Sequence, residues 1–154
     1  MIKINNGNIL ESKADFIVNV VDTDNGIGTE IENLYPHVDI EYRKYIRYCK
    51  KNKITIAGTV QYVPFAVWAI GLVDTMKNNR LEKCNGDFNY VVNIFGQIDN
   101  ETMLPNLDVL NTGINDVLNK ANEIEATIAI SYKLYNQFQK VFDDSNLTIE
   151  VWKE

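Results

Sequence analysis

The sequence has few of the residues that usually mark a disulfide-stabilised or metal-dependent site. Its two cysteines, Cys49 and Cys84, are far apart and form no CxxC motif, and His37 is the single histidine. These counts exclude a disulfide framework and a zinc site of the usual spacing. The GxGxxG, Walker, GxSxG and HExxH signatures of nucleotide-dependent enzymes, serine hydrolases and metalloproteases are also absent from the sequence.

Long hydrophobic runs and a positive charge balance are missing too. No apolar run approaches the roughly 18 residues that a membrane helix needs, and Met1–Ile4 lacks a signal-peptide pattern. We therefore expect a cytoplasmic protein without membrane association. Fifteen basic residues against twenty-one acidic ones give a formal net charge of −6. Because phosphate-backbone affinity depends on cations, we predict no nucleic-acid partner, and the cationic cluster at residues 43–53 is interpreted as a solvated helix end.

Strand-like and helix-like segments alternate along the chain, which predicts an α/β fold with a mixed central sheet and helices on both faces. The 154 residues suit a single domain, residues 1–154, with a sizeable core. Strands are predicted at Ile2–Ile4, Phe16–Val21, Val60–Phe65, Phe88–Phe95, Ala126–Ser131 and Leu147–Trp152. Helices are predicted just after Gly28 and at Val38–Cys49, Leu107–Ala121 and Tyr135–Phe142.

Single residues refine these predictions. Pro64 should end its strand or place it at a sheet edge, the last strand should lie near an edge, and Gly113 should weaken its helix slightly. Residues 67–73 fit either a strand extension or a short helix. The turn-forming residues from Lys77 to Asp87 indicate an exposed loop or hairpin.

The beginning of the chain carries the strongest functional pattern. A polar turn at Gly7–Ile9 leads into the buried strand Phe16–Val21, and Gly26-Ile27-Gly28 follows ahead of the first helix. This arrangement presents backbone N–H groups to a phosphate in many α/β proteins. Asp22 fits two roles, an acceptor for hydroxyl groups of a ligand and a local acceptor for turn amides.

Four later motifs complete a resemblance that covers nearly the whole chain. Tyr35-Pro36 precedes an aromatic-rich helix, and Gly58–Gln61, Asn93–Gln97 and Ile128–Lys133 follow in that order. The chain resembles the macro domains, and within them a branch of small bacterial and phage proteins. The resemblance implies binding of ADP-ribose or a related nucleotide metabolite. Asn19 matches the family pattern, whereas Asn8 and Asp22 stand where many members carry an acid and an asparagine.

Other departures from this branch concern catalysis. De-ADP-ribosylating members use a lysine after the Asn-Leu strand end and an aspartate in a second glycine-rich loop. Here Gln97 occupies the first position, and Tyr132-Lys133-Leu134 runs directly into Tyr135 without that loop. The helix after Gly28 should also be about a turn shorter. We therefore expect binding without efficient catalysis, with no catalytic residue, metal or cofactor.

Aromatic residues are expected mainly in the core, although Phe95 and Tyr132 sit at strand ends where a nucleotide base could stack. The predicted ligand-binding residues are Asn8, Asn19, Asp22, Gly26, Ile27, Gly28, Phe95, Gly96, Gln97 and Tyr132. Two alternatives remain open at this point. One is a macro fold that has lost its ligand and serves as a protein-interaction or inhibitor module, with a protein partner and a phage origin. The other is a weak hydrolase of ADP-ribosyl or ADP-ribose phosphate esters.

Overall fold

A six-stranded sheet forms the centre of the molecule, with strand order β1-β6-β5-β2-β4-β3. The computed structural model describes residues 1–78, 81 and 88–154. The predicted loop or hairpin at residues 77–87 therefore lies largely outside the described residues, as does Cys84. The strands are β1 Ile2–Asn6, β2 Phe16–Val21, β3 Val60–Pro64, β4 Tyr90–Phe95, β5 Ile128–Ser131 and β6 Ile149–Lys153.

All neighbouring strands run parallel except β3, which pairs antiparallel with β4 at one edge. Pro64 ends this edge strand, as the sequence predicted. Strands β2 and β4 are rich in Val, Ile and Phe because helices cover them on both faces. β6 lies one position inside the opposite edge, which β1 occupies.

Helices cover both faces of the sheet, which confirms the predicted α/β class. One face carries α1 and α2, and the other carries α3, α4 and α5. The helices are α1 Thr29–Leu34, α2 Pro36–Lys51, α3 Leu107–Ile124, α4 Tyr132–Gln137 and α5 Gln139–Asp143. Two 3-10 helices, Ile9–Glu11 and Val67–Leu72, lie in the connections.

The two long helices form for reasons that are visible in the sequence. α2 begins at Pro36, whose fixed φ suits the first helical turn, and ends with Lys50 and Lys51 near its negative C-terminal end. α3 begins after Asn106, whose side chain accepts hydrogen bonds from the backbone N–H groups of Asp108 and Val109. Each helix buries one apolar stripe against the sheet.

The predicted last helix, Tyr135–Phe142, is wrong in its bounds. The Ser131 hydroxyl accepts from the Leu134 backbone N–H at 3.1 Å, so helix α4 begins directly after β5. Phe138 then leaves helical geometry, with φ −132° and ψ 35°, and separates α4 from α5. The segment around residue 70 is a 3-10 helix, and β5 begins at Ile128, two residues later than predicted.

Gly113 has a packing role that the sequence did not predict. A Cβ atom placed on this residue of α3 would lie 2.3 Å from Cγ2 of Ile94 in β4. The helix therefore approaches the sheet more closely than any side chain at this position would allow. Among the described residues, no helix is long and apolar enough to cross a membrane.

Candidate functional site

A cleft opens between β2 and β5 because these two strands diverge. They pair at Phe16 with Ile128 and at Ile17 with Ala129, and in the part of the chain that the structure describes Val18–Val21 has no strand partner on that side. The helices that follow β2 and β5 pack on opposite faces, which is the arrangement that places ligands at the carboxyl ends of strands in open α/β sheets. The cleft has a volume of about 290 Å³. Its lining residues are Ile9, Val18, Asn19, Val20, Ile98, Met103, Pro105, Leu110, Ser131, Lys133, Leu134 and Gln137.

The chemistry of the lining is mostly apolar with a few polar groups. Val20, Leu110 and Pro105 surround Gly96, where an added Cβ would lie 3.0 Å from Val20 and 3.3 Å from Pro105. The polar side chains are Asn19, Ser131 at the end of β5, and Lys133 and Gln137 of α4. Among the described residues, Lys133 is the one charged side chain in the lining, so the cleft suits a ligand with an apolar body and an anionic group.

Asn19 is held firmly at the edge of this cleft. Its Nδ2 donates to the Ile27 backbone carbonyl at 2.9 Å and to Oδ1 of Asn93 at 3.2 Å. The first bond ties the end of β2 to the glycine loop, and the second crosses to β4, where Asn93 is the register partner of Asn19. The structure therefore brings the predicted residues Asn19 and Ile27 together.

Two buried polar residues continue from Asn19 and lie in motifs that carry the family resemblance, although neither was among the predicted ligand-binding residues. Asn93 and Gln61 are fully buried, and Asn93 Nδ2 donates to Gln61 Oε1 at 3.4 Å. Gln61 Nε2 donates to the backbone carbonyl of Glu41 in α2 at 2.9 Å. A signal for them existed, since each amide interrupts an otherwise apolar strand, and a buried polar group needs a partner.

Asp22 is a local acceptor for its own loop. Its Oδ1 accepts from the backbone N–H groups of Asp24 and Asn25, at 3.0 and 2.7 Å, and its Oδ2 accepts from Asn25 Nδ2 at 2.8 Å. The residue is only 6% exposed. Of the two roles that the sequence allowed for Asp22, the structure shows the local acceptor for turn amides.

The glycine loop has the backbone that its sequence indicates. Gly26 and Gly28 have φ values of +72° and +99°, where side chains are strained, and a Cβ at either would meet open space. Ile27 between them is buried in the α2 layer. The loop does not line the main cleft. Gly26 instead lines a second, more open groove against α2, together with Asp24 and Arg47.

Tyr42 of α2 holds the loop after β2 by a hydrogen bond. Its hydroxyl donates to the backbone carbonyl of Asp22. Burial, together with the negative charges of Asp22 and Asp39, raises the pKa of Tyr42 to about 12. The phenol therefore stays protonated and keeps donating throughout the neutral pH range.

Asn8 and Tyr132, two of the predicted ligand-binding residues, lie outside the cleft. The Asn8 side chain caps the first 3-10 helix through the Leu10 N–H at 2.9 Å and donates to Glu30 Oε1 at 2.5 Å. Tyr132 is 39% exposed, and the Lys153 ammonium lies 4.4 Å from its ring centroid. Neither residue lines the cleft beside Asn19.

The expectation that Phe95 could stack on a base is wrong. Phe95 is only 1% exposed, and its ring packs parallel to that of Tyr42 with centroids 5.8 Å apart. The end of β4 turns its aromatic side chain into the α2 layer, whereas Gly96 adjoins the lining residues Val20 and Pro105. Gln97 follows in an exposed position with a φ of +52°.

Helix α4 occupies the place where the resemblance would put the second glycine-rich loop. Ser131 caps this helix, and Leu134 is buried while Lys133 and Gln137 line the cleft. No group of three or more histidine, cysteine or acidic residues able to hold a metal ion occurs within the described residues.

Solved structures with similar folds were found, although no protein-family model and no curated protein matches the sequence. The macrodomain of Thermus aquaticus DarG superimposes with a TM-score of 0.65 at 15% identity, covering 100% of this chain and 99% of the other. A macrodomain protein from Streptomyces coelicolor gives 0.69 at 16% identity, covering 100% and 99%. Thermosipho africanus DarTG, in complex with ADP-ribose, gives 0.62 at 9% identity, covering 97% of this chain and 41% of the other. The chain has the macrodomain fold, which confirms the resemblance at the level of fold.

Proposed function

We propose that the cleft between β2 and β5 binds ADP-ribose or a related nucleotide metabolite. The observation that carries this proposal is the position and lining of the cleft. It lies at the diverging carboxyl ends of two central strands and has apolar walls and a cation, Lys133. A solved structure with this fold holds ADP-ribose, which supports the choice of ligand.

Calorimetric titration of the protein with ADP-ribose tests the proposal. We expect saturable binding of one ligand per chain. The comparison variant is Leu110→Trp. Leu110 is a buried residue of α3 next to Gly96, and the larger tryptophan should fill the cleft and abolish the heat of binding. Absence of binding by the wild-type protein at millimolar ligand would refute the proposal.

We further propose that the bound ligand is not turned over efficiently. The Asp22 carboxylate is occupied by three loop hydrogen bonds, and Gln97 carries an amide that cannot act as a charged nucleophile or base. Incubation with an ADP-ribosylated protein and with ADP-ribose 1″-phosphate should release product far more slowly than about one turnover per second. Turnover at that rate would establish a hydrolase.

A protein-interaction role has one observation in its favour. Val67, Trp68 and Leu72, all on the second 3-10 helix, are each at least 60% exposed. An apolar surface of this kind is typical of interaction sites. If ADP-ribose fails to bind, the wild-type protein can be tested for binding to a protein partner. The Trp68→Ser variant, which lacks the exposed indole, should bind that partner less tightly.

A further inference from the structure

Three side-chain amides form one directed chain of hydrogen bonds, here called the amide ladder. It consists of the half-buried Asn19 of β2 and the buried Asn93 of β4 and Gln61 of β3. In the sheet, Asn93 lies in register between Asn19 and Gln61. The ladder runs from the edge of the cleft to α2, across three strands. Sheet packing does not require it, since apolar residues of similar volume would fill the same positions.

The direction of the ladder is fixed at its far end. The Glu41 backbone carbonyl can only accept, so Gln61 must present its NH₂ group there, at 2.9 Å. Gln61 Oε1 then faces Asn93 and accepts from Asn93 Nδ2. Asn93 is left with its carbonyl toward Asn19, which must therefore donate.

This order decides what Asn19 offers to a ligand. Both Nδ2 hydrogens of Asn19 are used, one on Asn93 Oδ1 and one on the Ile27 carbonyl. Within the described residues no group donates to Asn19 Oδ1. Asn19 lines the cleft and is half-buried, so this carbonyl oxygen is its remaining hydrogen-bonding group there.

We propose that Gln61 and Asn93 are positioning residues, which fix Asn19 so that it accepts a hydrogen bond from a hydroxyl or amino group of the ligand and does not hold a phosphate oxygen. The proposal rests on the proposed function in so far as the ligand occupies this cleft. Lys133 supplies the complementary site for an anionic group. The cleft would thus bind a hydrogen-bond donor of the ligand at Asn19 of β2 and an anionic group of the ligand at Lys133 of α4.

A double-mutant cycle with ADP-ribose tests the positioning role. Gln61 neither lines the cleft nor bonds to Asn19, and Asn93 is the side chain that links the two by hydrogen bonds. Gln61→Met should weaken ADP-ribose binding about threefold or more, and should have no further effect in an Asn19→Leu background. Val63→Ala, on the same face of β3 and fully buried, is the control that lowers stability without touching the ladder.

Two results would overturn the positioning role. Either Gln61→Met binds as tightly as the wild type, or its loss of affinity persists unchanged in the Asn19→Leu background. Asn93→Leu is the second variant should Gln61→Met fail to fold.

The group that Asn19 recognises is tested by Asn19→Asp against Asn19→Leu. Both variants lose the two Nδ2 hydrogen bonds, but aspartate keeps an acceptor. We expect Asn19→Asp to bind ADP-ribose more tightly than Asn19→Leu. Weaker binding by Asn19→Asp than by Asn19→Leu would show that an acceptor at this position does not help the ligand to bind, and would overturn the proposal.

A measurement on the ligand-free protein tests the amide ladder independently of the proposed function. If the wild type does not bind ADP-ribose, the side-chain amide signals of Asn19 in a ¹H–¹⁵N NMR spectrum still report the ladder. They should shift in Gln61→Met and stay in place in Val63→Ala. Unchanged signals in Gln61→Met would refute the ladder whether or not ADP-ribose binds.

Discussion

In the proposed function, two side chains at the cleft contact chemically different parts of the ligand. Asn19 is locked by two hydrogen bonds and offers an acceptor, whereas Lys133 is exposed at the first turn of α4 and offers a charged donor. Asp22, which the family pattern places at the ligand, is committed to its own turn. The proposed binding of a ligand in this cleft therefore depends on few polar side chains.

Replacing Lys133 by alanine should weaken ADP-ribose binding about tenfold or more, because a hydrogen bond to a charged group contributes about 1.5–3 kcal/mol. Calorimetry at low salt measures the effect. Lys50→Ala, at the exposed end of α2, is the charge-matched control and should leave affinity unchanged. Equal affinities for both variants would place the anionic group elsewhere.

Gly28→Val should also weaken ADP-ribose binding, by at least about tenfold. The φ of +99° strains any side chain there, at a cost of about 1–3 kcal/mol, and the loop carries the Ile27 carbonyl that orients Asn19. Gly71→Val, where an added side chain also meets open space, serves as the comparison. If a folded Gly28→Val variant binds normally, the loop is not part of the site.

Secondary-structure elements set the size of the cleft. Helix α4 starts immediately after β5 because Ser131 caps it, and its Leu134 side chain packs into the core. On the opposite wall, α3 reaches the sheet closely at Gly113 and brings Leu110 next to Gly96. The volume of about 290 Å³ follows from where these two helices begin and how closely they pack.

The close approach of α3 predicts the effect of Gly113→Ala. Alanine favours a helix by about 1 kcal/mol over glycine, but its Cβ would clash with Ile94. We expect the free energy of unfolding to fall by about 1–3 kcal/mol, as measured by urea denaturation. A second substitution, Ile94→Ala, should make Gly113→Ala neutral or stabilising. A stabilised single variant would show that α3 does not pack this tightly.

The whole molecule has two apolar layers, one on each face of the sheet, and tyrosines are buried in both. Tyr42 and Tyr45 lie in the α2 layer and Tyr62 in the α3 layer. Burial is the first cause that raises the pKa of each. Neighbouring carboxylates add to it, such as Asp116, which accepts from the Tyr62 hydroxyl at 2.8 Å.

These pKa values predict an alkaline limit to stability. The pKa of Tyr42 is about 12 in the folded protein against 10.0 for a free tyrosine, so the unfolded chain loses its proton first. The stabilisation is complete below pH 10 and is lost as the pH rises toward 12. Absorbance at 295 nm should show Tyr42, Tyr45 and Tyr62 ionising only as circular dichroism reports unfolding. Ionisation of all tyrosines in a folded protein would contradict this.

The sequence by itself determined the element types, the α/β class and the macrodomain resemblance. Apolar periodicity, Pro36, Pro64 and the glycine positions act locally, so strand β2 and helix α2 could be predicted close to their bounds. Asn19, which lines the cleft, could be named as a candidate from the sequence because the motif that contains it is continuous along the chain.

Only the tertiary structure decided which of those residues share a site. The divergence of β2 from β5, the burial of Phe95 and the amide ladder all depend on contacts between segments distant in sequence. Gly113 looked unfavourable for its helix, yet it is required by packing against Ile94. Local pattern reports what a segment prefers, whereas hydrogen-bond partners and cavities are set by which segments meet.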